Sequence, residues 1–308
     1  MKLRRGLLVP LLLVVSSWLT LAAAQAPAGG GEAKRVGSEA CKDCHKELFD
    51  EFMTSPHGRA TLDPGVLDAE PGCESCHGPG SLHVAAGGDK ADPGFATMKK
   101  PAAMPAAEAA AVCQQCHTSS EQFYWKQSAH SRKGVTCVNC HSIHSPKSLG
   151  SSKLLVAANA NLLCVTCHKD KRHAIERSGH MPIREGSMTC ADCHNPHGSS
   201  SPRMIRAATV NDLCYKCHAD KRGPMLWEHP PVRENCLNCH QPHGSNNDKV
   251  LASKRPYLCQ RCHISTRHPS TSYDARDLAN NRVFNRACTN CHSQIHGSNH
   301  PSGKFFLR

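Results

Sequence analysis

The sequence predicts a mainly irregular chain with some α structure, in which short helices and long loops wrap around embedded groups and little or no β structure forms. Three observations lead there. The 308 residues are only 5% aromatic but include 22 glycines and 20 prolines, too loose a mixture for a large core made of side chains alone. All 20 cysteines fall within ten copies of the pentapeptide CxxCH. Of the 22 histidines 12 lie outside those copies, and ten of these recur at related places between them.

The cysteine pairs are Cys41 and Cys44, Cys73 and Cys76, Cys113 and Cys116, Cys137 and Cys140, Cys164 and Cys167, Cys190 and Cys193, Cys214 and Cys217, Cys236 and Cys239, Cys259 and Cys262, Cys288 and Cys291. Directly after them stand His45, His77, His117, His141, His168, His194, His218, His240, His263 and His292. The spacing serves one chemistry. Two thiols add across the two vinyl groups of a porphyrin as thioethers, and the adjacent His puts an imidazole nitrogen on the iron. Zinc ribbons also use CxxC pairs, but they have no need of His after the second Cys. Disulfides, which an exported chain would permit, leave the histidines equally unexplained. The motifs therefore predict ten covalently bound haem c groups with those ten histidines as proximal ligands. At roughly 28 residues for each macrocycle, the fold class becomes an elongated stack of ten c-type haems wrapped by short helices and long loops.

Residues 1–26 read as a secretory signal peptide. Lys2, Arg4 and Arg5 form the positive start, Leu7 to Leu21 is mostly apolar, and the alanines from Ala22 offer small-residue cleavage. Pro10, Ser16 and Ser17 interrupt the apolar run, which is short for a retained anchor. Export and covalent haem attachment together point to a bacterial periplasm. Residues 27–37 are rich in Ala and Gly and are expected to be flexible, 38–297 to form the decahaem cytochrome domain, and 298–308 a C-terminal tail.

A formal net charge of +12 raises the question of nucleic acid. Loss of the signal's three basic residues removes part of it, and ten haems with ionised propionates bring the holoprotein to roughly −1 to −11. The basic side chains mainly offset propionates. No aromatic-basic interleaving accompanies the charge, so no nucleic-acid partner is expected.

The motifs fall into five two-haem units, at about 41–83, 113–144, 164–197, 214–243 and 259–296. Each unit supplies two motifs and two further histidines. These are His57 and His83, His130 and His144, His180 and His197, His229 and His243, and His268 and His296, which the repeat selects as the distal iron ligands. His173 and His300 are left over, and His268 lies unusually close to its motif. Methionine is the alternative sixth ligand, but the methionines do not follow the repeat. Bis-histidine ligation throughout implies low-spin irons of low potential.

Local signals fill in the wrapping. Lys46 to Phe52 places Leu48, Phe49 and Phe52 on one helical face just after a motif, and Phe123-Tyr124-Trp125 reads as core packing. The Ala-, Gly- and Pro-rich stretch from Val84 to Val112 is expected to be an exposed loop. The apolar Phe305-Phe306-Leu307 reads as a frayed end or a contact with a membrane partner.

Ten closed haems suit electron movement, since a catalytic haem needs an exchangeable position. No catalytic residue is assigned. A soluble shuttle or storage cytochrome, or a multihaem nitrite- or hydroxylamine-type oxidoreductase, is the alternative class. The segments SEACKDCHKELFDEF, SPHGRA, CESCHGPGSLH, SAHSRKGVTCVNCHSIH and TCADCHNPHG, with the export signal and motif number, resemble the MtrA/DmsE family of periplasmic decahaem cytochromes. The likeness runs from about Ser38 to Gly297. It implies an electron conduit inserted in an outer-membrane β-barrel porin of the MtrB type, carrying electrons between periplasm and cell exterior in metal reduction or iron oxidation. A row of haems would bridge a hydrocarbon layer of about 30 Å. The implied partners are that porin, a periplasmic or inner-membrane cytochrome, and an outer-surface multihaem cytochrome.

Overall fold

A computed structural model describes residues 31–61, 72–148, 153–263, 287–301 and 303–307. The signal peptide and His268 lie outside the described residues. Helices are short; the longest α-helices are Lys46–Thr54, Ala106–Cys113 and Ala160–Cys167. The only β pairing among the described residues is a set of isolated bridges, which agrees with the expected class. No helix among the described residues is long and apolar enough to cross a membrane.

The haem motifs themselves nucleate local structure. In nine of them the His N–H bonds the carbonyl of the first Cys at 2.8–3.0 Å, and the other, Cys73–His77, is itself a helix. One helical turn thus brings both thiols and the imidazole to one side, because residues three and four apart share a helix face. The variable residues inside the motifs help close the turn. The Thr136 N–H donates to Asn139 Oδ1 at 2.7 Å, and the Thr189 N–H donates to Asp192 Oδ2 at 2.6 Å. Both are the returning half of a capping box.

A second device repeats three residues before the first motif of a unit. Asn161 Oδ1 accepts from Cys190 N at 2.8 Å while its Nδ2 donates to the carbonyls of Ile183 and Met188. Asn211 does the same with Cys236 N, Val232 and Arg233. In the first unit Ser38 Oγ accepts from Cys73 N at 3.1 Å. Each ties the two motifs of its unit together.

Neighbouring units interlock through glycines that follow distal-type histidines. Gly198, Gly244 and Gly297 have φ of 114°, 132° and 134°, a region that disfavours any side chain. A Cβ at Gly244 would lie 1.9 Å from the Ala174 carbonyl oxygen, and one at Gly198 would lie 2.6 Å from that of Tyr124. Gly179 and Ser245 exchange backbone hydrogen bonds at 2.9 and 2.7 Å, and Trp227 and Ser298 do likewise at 2.8 and 3.0 Å. Arg206 adds a bidentate pair to Glu121 at 2.6 and 2.9 Å and bonds the carbonyls of Ala191 and His194.

The apolar core is thin and scattered. Phe49, Phe52, Trp125, Leu154, Leu155 and Leu251 are among its buried members. Leu48 is 43% exposed and Phe123 is 69% exposed, so only part of each expected apolar cluster turns inward. The stretch from Val84 to Val112 is not the exposed loop expected: Lys99 N bonds the His77 carbonyl at 2.8 Å, the Phe95 ring lies 5.0 Å from that of His83, and its end joins the helix Ala106–Cys113, which buries Ala109, Ala110 and Val112. Of the segment expected to be flexible, Lys34 to Gly37 is held to Ser81 and to Glu74. Glu74 is 5% exposed; burial pushes its carboxyl up, but N–H donors from Gly80, Val36 and Gly37 outweigh this and hold it below the usual carboxylate value.

Candidate functional site

Eight of the ten motif histidines face a histidine from outside the motifs. Ring centroids lie 6.4 Å apart for His45 and His83, 6.1 Å for His77 and His144, 5.9 Å for His117 and His57, and 6.0 Å for His141 and His197. They lie 6.1 Å apart for His168 and His130 and for His194 and His243, and 6.2 Å for His240 and His296 and for His263 and His229. Two imidazoles bound to opposite faces of one metal ion, each nitrogen at about 2.0 Å, have centroids about 6 Å apart. The residues present therefore fit an iron between each pair.

The pairing crosses the units in a regular way. His57, His130 and His229 each reach forward to the first motif of the next unit. His144, His197, His243 and His296 each reach back to the second motif of the unit before. His83 closes the first motif of its own unit. No periodicity in the sequence distinguishes these partners, because all but His45 and His83 lie in separate units.

The protonation states suit ligation. Burial, with the facing imidazole adding to it, pushes His57, His144 and His197 below the ordinary histidine value, and burial does the same for His229, His243 and His296. A neutral imidazole offers the lone pair that a metal needs.

Backbone carbonyls orient the rings. The Nδ1 atoms of His77, His141, His194, His240 and His292 bond the carbonyls of Lys99, Lys153, Arg203, Lys249 and Phe305 at 2.5–3.0 Å. His83, His130 and His229 bond those of Phe95, Pro196 and Ile295 at 2.8–3.1 Å. An Nδ1–H given to a carbonyl leaves Nε2 to face the iron and raises its basicity. The stretch from Val84 to Val112, expected only as a loop, supplies two of these acceptors, Phe95 and Lys99. Composition concealed that role because a carbonyl carries no residue signature.

Three of the acceptors sit in one repeated strap. Lys153, Arg203 and Lys249 are each followed by a residue with positive φ, Leu154 at 50°, Met204 at 55° and Val250 at 50°. The carbonyls of Leu154, Met204 and Val250 take the N–H of the residue after the motif histidine at 2.7–2.8 Å. The next residues, Leu155, Ile205 and Leu251, form β-bridges with His141, His194 and His240.

His180 departs from the pattern. Its Nδ1 bonds the Arg177 carbonyl and its Nε2 bonds Glu185 Oε1, both at 2.8 Å, so it does not face His218. Nine residues separate His180 from Cys190, whereas six separate His130 from Cys137 and His229 from Cys236. The longer loop brings Glu185 over the ring. His173 and His300, left over by the repeat, are both exposed.

The cysteines order the sites. Within each unit the first thiols of the two motifs lie near enough to interact: Cys41 with Cys73, Cys113 with Cys137, Cys164 with Cys190, Cys214 with Cys236, and Cys259 with Cys288. Between units the second cysteines approach, Cys76 with Cys116, Cys140 with Cys167, Cys193 with Cys217, and Cys239 with Cys262. Consecutive motifs are thus spatial neighbours from one end of the row to the other. A cavity of about 550 Å³ opens beside His144, lined also by Glu51, Thr54, Pro56, Ile143 and Leu154. That volume suits a macrocycle. Among the described residues no three His, Cys, Asp or Glu side chains gather as a cation cluster.

A family model described as a doubled CXXCH motif matches residues 130–173, 180–223 and 229–268. Its copies begin at His130, His180 and His229, the first intervening histidine of three units. The chain is similar to C-type polyheme cytochrome OmcB of Geobacter sulfurreducens, 26% identical over 175 residues, 46% of this chain and 21% of OmcB. A solved undecaheme cytochrome from the S-layer of Carboxydothermus ferrireducens is 18% identical, with a TM-score of 0.13 over 77% of this chain and 32% of that one, too slight a likeness to carry an argument. Multiheme cytochrome MtrA of Shewanella baltica is 40% identical over 288 residues, which make up 90% of this chain and 83% of that protein. With covalent haem c anchored at paired CxxCH motifs, the chain belongs to the MtrA family of multihaem c-type cytochromes, electron-transfer proteins without a catalytic role of their own.

Proposed function

We propose that this chain carries ten haems and conducts electrons between the periplasm and the cell exterior, seated in an outer-membrane β-barrel of the MtrB type. The unbroken neighbour order of the motifs, from Cys41 to Cys288, supports this reading most directly, since conduction needs each centre beside the next. Haem iron supplies a one-electron couple at each position. The protein's part is to hold the sites. Both cysteines of every motif form the thioethers, and the adjacent histidine is the proximal ligand. The distal ligands are His57, His83, His130, His144, His197, His229, His243 and His296, in the pairs given above; the forward reach of the repeat assigns His180 to His218 once it leaves Glu185, and elimination leaves His268 for His292. Closure of every iron by imidazole keeps small reactants off and holds the potentials low.

Pyridine haemochrome analysis of the purified protein should give ten haems per chain, and five or fewer would sink the assignment. Co-expression with the barrel partner should give a complex that passes electrons into liposomes loaded with an oxidant. Equal transfer when the barrel is omitted would refute the conduit.

A further inference from the structure

We infer that residues 303–307 are the orienting strap of the last haem site rather than a loose tail or a docking peptide. The inference rests on His292 and His229 being iron ligands, as proposed above. In three earlier units the strap has a fixed anatomy: a carbonyl on the motif histidine's Nδ1, a following residue with positive φ whose own carbonyl takes the next N–H, and then an aliphatic residue. Phe305-Phe306-Leu307 repeats it with one shift, in that the second carbonyl is taken by Gln294, two residues after His292, and not by Ser293. The Phe305 carbonyl accepts from His292 Nδ1 at 2.5 Å, Phe306 has φ of 56°, and the Phe306 carbonyl accepts from Gln294 N at 2.9 Å. Leu307 follows in sequence as Leu155, Ile205 and Leu251 do, but in place of their β-bridges its carbonyl accepts from Ser293 Oγ at 3.0 Å. A Phe held in the left-handed region is unfavourable and persists only where surrounding contacts over-determine it.

The strap also joins two sites. The Phe306 ring lies 5.3 Å from that of His229, which faces His263. At the strap's start, Gly303 is buried so closely that a Cβ there would lie 2.4 Å from Ser298 Oγ and 2.9 Å from Trp227 Cδ1. Residues 303–307 are therefore positioning residues for the haems of His292 and His263. Of its three apolar side chains Phe306 turns onto these sites, while Phe305 and Leu307 stay 58% and 46% exposed.

Two substitutions at one position test this. Phe306→Pro locks φ near −65°, which the strap cannot accept, whereas Phe306→Gly tolerates the positive φ and removes only the ring. In the full-length holoprotein, Phe306→Pro should move about one tenth of the redox titration amplitude to higher potential and displace one low-spin EPR component, because His292 loses its carbonyl. Phe306→Gly should leave that component in place. Superimposable titrations and spectra for Phe306→Pro and wild type would overturn the inference, as would a Phe306→Pro protein with unchanged spectra that no longer co-purifies with the barrel. His229→Ala checks the reading beneath: without a new high-spin signal the ligand assignment fails, and with one, a silent Phe306→Pro indicts the strap alone.

Discussion

Gly244→Ala measures how tightly the units interlock. The added Cβ would meet the Ala174 carbonyl oxygen at 1.9 Å, its carbon at 2.8 Å and the Gly179 carbonyl oxygen at 3.3 Å. All three are backbone atoms, so no side chain can swing aside. Relief requires moving the strand of residues around Gly179 away from Ser245, which breaks the two bonds they exchange at 2.9 and 2.7 Å, about 1 kcal/mol each. A φ of 132° adds about 1–3 kcal/mol of backbone strain for a residue with a Cβ. Together the cost is about 3–5 kcal/mol. Gly134→Ala is the control: its φ is also positive, at 74°, but its Cβ would meet nothing within 4 Å, leaving about 1–2 kcal/mol. Urea titrations of the two holoproteins, followed by far-UV circular dichroism and the Soret band, should differ by about 1–4 kcal/mol. Because Gly244 follows His243, the variant should also disturb one haem's EPR signal. Equal midpoints for the two variants would refute the interlocking argument.

Other expectations follow from the same geometry. Asn211→Ala strands the carbonyls of Val232 and Arg233 and the N–H of Cys236, and should cost about 2–3 kcal/mol in urea titration; a loss under 0.5 kcal/mol, roughly that of a neutral surface change, would show that the clamp does not hold the unit. Glu121 is held below the usual carboxylate value by the hydrogen bond and charge of Arg206, so its contribution is present above about pH 4.3 and is lost as pH falls through the lowered value. Since the pair is partly exposed, Glu121→Gln should cost at most about 1 kcal/mol at pH 7, and the gap to wild type should close in acid; a gap that widens there would contradict the pairing. His243→Met should raise the potential of one haem and leave the haem count intact, as read by redox titration with pyridine haemochrome analysis; an unchanged titration would remove His243 from the ligand set.

Much of this protein was legible in its sequence because its chemistry is local. A thioether site is written in five consecutive residues, and the short helical turns follow from caps such as Thr136 with Asn139 that lie in or directly before the same stretch. The repeat also identified the residue types between the motifs. It could not identify partners, since His57 and His117, or His141 and His197, meet only when separate units pack together. The acceptors for Nδ1 were invisible for a different reason: Lys99, Lys153, Arg203, Lys249 and Phe305 act through their carbonyls, which every residue possesses. Glu185 escaped notice because three extra residues in one loop, unremarkable in composition, carry it onto His180.

The sequence by itself determined that haem is attached at CxxCH, that imidazole is abundant enough to close each iron, and that side chains alone would build little core. Those properties depend on covalent spacing and composition, which folding does not alter. Tertiary structure decided the neighbour order of the sites, the forward and backward reach of the distal histidines, and the use of Phe305 to Leu307 as a strap. These are contacts between residues far apart in the chain, set by glycines that let one unit's backbone press against the next.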